Sequence, residues 1–218
     1  RKGFSVHKNA LIGTALVDMY AKCGALAKAQ VVFDMLDVQT IASWNTLISG
    51  YTRNGCGQEA IACFRQVQQE GIFPDVVTFM SILKACCFLK TLTLGKEIHA
   101  EIIKEGFLLH DSVLGNALVD MYSKFGALVE AQGVFNKIQT RDATSWNTLL
   151  SGFCVHGKNE EVLTHFKYME MDNIPPDVLT FLTVLKACGN LGEVYKGQSI
   201  HVRVVMEGFV EGNDILSG

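Results

Sequence analysis

A period of 102 residues governs this chain. The stretch IASWNTLISGYTRNGCGQEAIACFRQVQQEGIFPD, residues 41–75, returns as ATSWNTLLSGFCVHGKNEEVLTHFKYMEMDNIPPD, residues 143–177. Its neighbours return with it: TALVDMYAKCGAL (14–26) as NALVDMYSKFGAL (116–128), and TFMSILKACC (78–87) as TFLTVLKACG (180–189). Self-similarity at a fixed period is the signature of stacked supersecondary units, none of which buries its apolar face alone. Each block holds three such units. The anchors Tyr20, Gly24, Ala29 and Phe33 recur as Tyr51, Gly55, Ala60 and Phe64, then as Cys86, Lys90, Gly95 and His99, and again from Tyr122. The offsets are 31, 35 and 36 residues.

Apolar residues within each unit follow helical spacing. Leu16, Met19 and Tyr20 share one stripe, and Leu26, Ala29 and Phe33 another, as i, i+3, i+4 and i+7 patterns require. The expected helices cover 13–22 and 26–35, then a first helix opening at the SWN motif and 57–70, then 79–87 and 94–105. Segments this short are marginal in isolation and must pack in pairs. Ser43 and Thr78 read as N-caps, Asn54-Gly55 as a left-handed helix end, and Pro74 and Pro175-Pro176 as stops. The fold class is therefore all-α, an α-solenoid of stacked helix-turn-helix repeats. The repeats divide as 10–40, 41–75, 76–111, 112–142, 143–177 and 178–213. Residues 1–9 read as the end of a preceding repeat and 214–218 as the start of another, so a piece of a longer array is expected.

Composition narrows the function classes. The net charge of -3 argues against a strongly basic polyanion binder, although a local groove can be positive while the outer face is acidic. The seven cysteines are odd in number and contain no CxxC pair, which fits reduced thiols acting as small hydrophobes rather than a metal or disulfide framework. No apolar run reaches membrane-spanning length, and no membrane association is expected. His99 and His201 lie a full period apart, too far to share a metal or form a dyad, and read as core or interface residues. No HxE with PCxxC deaminase signature occurs. The chain is read as non-enzymatic, with no cofactor.

The motifs SWNTLISGY, ALVDMYAKCG, TFMSILKAC and GKEIHAEIIKEGF, in the order 31, 35 and 36, resemble the pentatricopeptide repeat family, and within it the plant subclass whose short, standard and long repeats alternate. A tetratricopeptide array, with its uniform period of about 34, does not fit. The resemblance covers residues 10–213. It implies a right-handed superhelix that binds single-stranded RNA in mitochondria or chloroplasts, roughly one nucleotide per repeat, with the protein N-terminus toward the RNA 5′ end. It also implies parent proteins that direct cytidine-to-uridine editing, with partners that include organellar editing factors or a deaminase-like domain.

In the resemblance, bases are read by one first-helix residue together with the last residue of the same repeat. The pairs carried over are Thr14 with Thr40, Asn45 with Asp75, Met80 with Asp111, Asn116 with Asp142, Asn147 with Asp177, and Leu182 with Asn213. Asn with Asp favours uracil there, and Thr with Asp favours guanine. An Asn amide can donate and accept toward the Watson-Crick edge, and a nearby carboxylate can fix its orientation; Met80 and Leu182 can do neither. Thr14 with Thr40 is assigned no base. Val77, Val113 and Leu179, three residues before a reader, match the positions that sandwich bases, whereas Ala42 and Thr144 offer less contact area.

Each assignment has a plainer rival. Asn45, Asn116 and Asn147 could be first-turn surface residues, since Asn favours helix starts; even as a reader, Asn147 is expected on an exposed helix entry. Trp44 and Trp146 could stack bases, but Phe79 and Phe181 occupy the same place in other repeats, which favours packing. Lys22, Arg53, Lys84, Lys124 and Lys186 either form a phosphate-facing stripe or complement helix C-termini. The alternative function is a protein-interaction scaffold. End-to-end self-association through Val202, Val205 and Phe209 is a further expectation.

Overall fold

The computed structural model describes residues 6–107 and 112–209. It divides into two halves, Arg1–His110 and Asp111–Gly218, each of which has its own packing. In the N-terminal half the helices are α1 (Val6–Lys22), α2 (Leu26–Asp34), α3 (Ile41–Arg53), α4 (Gly57–Gln69), α5 (Val76–Leu89) and α6 (Leu92–Lys104). The C-terminal half carries α7 (Ser112–Lys124), α8 (Leu128–Phe135), α9 (Ala143–Val155), α10 (Asn159–Met171), α11 (Val178–Leu191) and α12 (Val194–Met206). No strand occurs among the described residues. The expected all-α stack of helix pairs is what these residues form.

Within each half the first helices of successive pairs pack side by side, α1 on α3 on α5 and α7 on α9 on α11. The second helices bridge onto the next pair, α2 to α3, α4 to α5, α8 to α9 and α10 to α11. The anchors explain this layering. Ala29, Phe33, Ala60 and Phe64 are buried, as are Ala131, Phe135, Val162 and Phe166. Trp44 and Trp146 are buried at 1% and 2% exposure, edge-on against Phe33 and Phe135 at 4.4 and 4.7 Å. They are packing residues, not a base platform. Such edge-to-face pairs add about 0.5–1.5 kcal/mol beyond area burial.

Two close approaches set the spacing of the first helices. A Cβ on Gly50 would lie 2.6 Å from Ala21 Cβ, and one on Gly152 would lie 2.8 Å from Ser123 Cβ. Glycine here admits the neighbouring helix rather than an unusual backbone angle. At the next residue pair out, Asn54 Nδ2 donates to the Ala21 carbonyl at 3.0 Å, and His156 Nε2 lies 2.6 Å from the Ser123 carbonyl. Each carbonyl also accepts a turn N–H, from Gly24 and Gly126, so the side chain adds a second bond at a helix C-terminus.

The helix starts correct the cap assignments. Ser43 does not cap α3; Thr40 does, and Ser43 is the third residue of a reciprocal capping box. Likewise Asp75 caps α5, with Thr78 at the third position. The same box joins Asp142 to Ser145 and Asp177 to Thr180. The helices consequently begin two residues before Ser43 and Thr78, where the sequence reading placed their caps. The physical reason is that a D-x-x-T or T-x-x-S sequence offers two capping side chains, and the one whose backbone is extended takes the role. Asp75, at φ -111° and ψ -178°, is extended.

Candidate nucleic-acid interface

The Asp caps do more than start helices. Asn45 is the fifth residue of α3, and its Nδ2 lies 2.9 Å from both carboxylate oxygens of Asp75. Asn147 repeats this on Asp177, again at 2.9 Å to each oxygen. An ionised carboxylate only accepts, so the amide nitrogen must be the atom facing it. On the other side, Thr78 Oγ1 lies 2.6 Å from Asn45 Oδ1, and Thr180 Oγ1 lies 2.7 Å from Asn147 Oδ1. Each amide is held at both ends.

This geometry overturns one expectation. Asn147, expected on an exposed helix entry, is only 4% exposed, and Asn45 is only 8% exposed. Their burial is tolerable because the hydrogen bonds to Asp and Thr replace water. Burial alone would raise the Asp177 carboxyl above its usual range. Hydrogen bonds from the Thr180 and Leu179 N–H groups, the Asn147 amide and the Thr180 hydroxyl outweigh it and hold the group below its ordinary value.

The third Asn is different. Asn116 is half-buried, its Oδ1 has no hydrogen-bond partner among the described residues, and Asp142 is exposed and caps α9. No hydrogen bond joins Asn116 to Asp142. Thr14 and Thr40 are not joined either: Thr14 Oγ1 donates to the Ala10 carbonyl at 2.8 Å, while Thr40 caps α3. Leu182 is 61% exposed. Asn213 and Asp111, the partners carried over for Leu182 and Met80, lie outside the described residues.

A groove of about 450 Å³ opens at Asn147. Asp177 lines it with Asn147, and Thr144 on α9 and Leu179 on α11 contribute further walls. Val77, Val113 and Leu179 are all about half exposed, at 51%, 53% and 51%. Lys124 and Asp120, paired at 2.6 Å, also line the groove. Lys22 pairs with Asp18 at the same distance, so both last-turn lysines carry an acidic neighbour that offsets their charge. The residues that the sequence reading missed are Thr78, Thr180 and Ser145. The D-x-x-[TS] spacing marks them, but it reads as a cap alone.

No group of three or more His, Cys, Asp or Glu able to hold a metal lies among the described residues, and none of the described helices is long and apolar enough to cross a membrane. Burial pushes the Cys63 and Cys86 thiols up to about 11 and about 12. Such thiols are protonated and poorly nucleophilic at neutral pH. His99 and His201 are half-buried.

The profile described as the PPR repeat family matches residues 39–87 and 141–190, and the PPR repeat profile matches 116–142. A pentatricopeptide repeat-containing protein of Arabidopsis thaliana is 43% identical over 195 residues, covering 89% of this chain and 26% of that protein. A second, putative one from the same plant is 40% identical over 191 residues, covering 87% and 34%. The chain thus spans about a quarter to a third of the length of these relatives. Among solved structures, the pentatricopeptide repeat protein PPR10 from maize, in complex with an 18-nt psaJ RNA element, matches with a TM-score of 0.70 at 20% identity, covering 87% of this chain and 29% of that one. With the repeat profiles spanning more than half of its residues, the chain belongs to the pentatricopeptide repeat family.

Proposed function

We propose that the chain is a sequence-selective single-stranded RNA-binding segment of an organellar RNA-processing factor, one that specifies a cytidine-to-uridine editing site. The observation that carries the RNA reading is the Asn147–Asp177–Thr180 cluster opening on a groove walled by Thr144 and Leu179. A fixed amide between two side walls is an arrangement that can hydrogen-bond and flank one splayed-out base. Asn45 with Asp75 and Thr78 has the same hydrogen bonding. The PPR10 complex, a protein of the same family and fold bound to RNA, supports the reading.

The finer assignments rest on the sequence resemblance. First helices beginning at Ile41, Val76, Ser112, Ala143 and Val178 support the alternating short, standard and long subclass, and that subclass supports editing. Two relatives carry the word mitochondrial in their names, which supports an organellar location, with the chloroplast as the other organelle. Editing factors or a deaminase-like domain are the corresponding protein partners. Val202 and Phe209, exposed on and just after α12, support end-to-end self-association of the isolated segment.

A gel-shift titration with a randomised single-stranded RNA pool tests the reading. Enrichment of uracil at positions spaced like the Asn45 and Asn147 repeats, and affinity that declines with salt, is the expected result. Binding with neither sequence enrichment nor salt dependence favours the protein-scaffold alternative instead.

A further inference from the structure

The two kinds of Asn differ in what holds the amide oxygen. Thr78 Oγ1 accepts from the Asp75 N–H at 3.1 Å and has one hydrogen to give. It sits 2.6 Å from Asn45 Oδ1 and 3.0 Å from an Asp75 oxygen. Two acceptor oxygens at 2.6 Å require the hydrogen between them, so it lies on the amide side. Thr180 repeats the geometry, at 2.7 Å from Asn147 Oδ1 and 3.0 Å from Asp177. Turning either amide over would set its oxygen against the carboxylate and lose the hydrogen bonds to both Asp oxygens.

The residue in the same place beside Asn116 is Ser145. Its Oγ reaches Asp142 at 3.0 Å and makes no bond to Asn116, whose Oδ1 is left buried without a partner. All three hydroxyls lie 3.0 Å from an oxygen of the capping Asp, so the difference is where the hydrogen goes: Ser145 gives it to Asp142, whereas threonine's β-branch restricts χ1 and keeps the hydroxyl within reach of the amide oxygen. Neither end of the Asn116 amide is therefore fixed by a described residue, and turning it over loses no hydrogen bond.

We propose that the third residue of the following helix sets how sharply each Asn discriminates between pyrimidines, an inference that rests on the RNA reading above. Uracil presents a donor at N3 beside a carbonyl, and cytosine presents an acceptor at N3 beside an amine. A locked amide offers one fixed order of donor and acceptor and so selects one pyrimidine, uracil on the reading above. A reversible amide meets either edge. Thr78 and Thr180 are thus specificity-determining positioning residues for Asn45 and Asn147, and the Asn116 repeat, with Ser145, accepts cytosine as well as uracil.

The test is competition binding of the chain to single-stranded RNAs that differ only by U or C at the nucleotide facing Asn147 or Asn116. The wild-type chain should prefer U strongly at the first and weakly at the second. Thr180→Ser, which installs the residue already buried at position 145, should reduce the U over C preference at the Asn147 nucleotide by about fivefold or more, the low end for a bidentate base contact. Ser145→Thr should raise it at the Asn116 nucleotide. Side-chain amide exchange measured by NMR should be slow for Asn147 and become fast in Thr180→Ser. RNA bound with unchanged U over C ratios in both variants, or a loss equal for both bases, overturns the inference while leaving RNA binding intact. No RNA binding by the wild-type chain overturns the RNA reading itself, and the inference with it.

Discussion

Replacing Asp177 by Ala removes two things, whereas replacing Asp142 by Ala removes one. Both carboxylates cap a helix in the C-terminal half, accepting from the third-residue N–H at 2.9 and 2.8 Å. Loss of such a cap costs about 1 kcal/mol, within a range of about 0.5–2. Only Asp177 also holds a buried amide, Asn147 at 4% exposure. Leaving that amide nitrogen without its acceptor adds about 1–3 kcal/mol, with the lower part favoured because the groove gives water some access. Asp177→Ala should therefore lose about 2–3 kcal/mol and Asp142→Ala about 1. Urea denaturation followed by circular dichroism reads this directly. With a slope of about 1–3 kcal/mol per molar, the two midpoints should separate by about 0.3 to 2 M. Because both residues lie in one half, they report on the same packed unit. Equal midpoints at unchanged slope would show that the Asn147 bond contributes nothing, and would refute the locked-amide reasoning.

Gly152→Ala should destabilise by about 1–3 kcal/mol through the contact with Ser123 Cβ, despite alanine's better helix propensity, and adding Ser123→Gly should restore the loss in thermal melts. Because the folded Asp177 carboxyl titrates below its unfolded value, the stability it contributes is complete above the ordinary value of about 3.9 and is lost as pH falls through the depressed one. Urea midpoints across that acid range should therefore fall more for the wild-type chain than for Asp177→Asn. Lys124→Ala breaks an ion pair whose partners are 56% and 50% exposed. It should change stability by less than about 0.5 kcal/mol, and if Lys124 meets a phosphate the salt slope of RNA binding should fall by about 0.7.

The all-helical fold was legible because burial recurs with the period: Phe33 and Phe135, or Trp44 and Trp146, occupy equivalent buried places. The left-handed helix end at Gly55, with φ 78°, was legible from Asn-Gly for a similarly local reason. Caps were less so. Asp75 and Thr78 can each cap, and only the extended backbone after Pro74 decides between them. The close approach at Gly152 left no local mark, since a mid-helix glycine reads as a weak helix former until its neighbour Ser123 is placed. The burial of Asn147 was misread because a polar side chain near a helix start resembles a solvated one. Its partner Thr180 lies 33 residues away, and the direction of a hydroxyl is not written in residue type. The same applies to the contrast between Ser145 and Thr180, which depends on whether the Asn oxygen reaches the hydroxyl.

Base identity opposite Asn147 decides whether this family member reads RNA through its Asn and Asp pairs. Two single-stranded RNAs, differing only by U or G at that nucleotide, compete for the wild-type chain and for Asn147→Thr with Asp177 untouched. The substitution keeps net charge, so phosphate attraction stays nearly constant and base reading is isolated. Since Asn147 is buried and bonded to Asp177 and Thr180, a urea titration first establishes that the variant is folded. The wild-type chain should prefer U, and the folded variant should shift toward G by about 1 kcal/mol or somewhat more. An equal loss of affinity for both RNAs, or an unchanged preference for U in the folded variant, would contradict the account and leave Asn147 a purely structural residue.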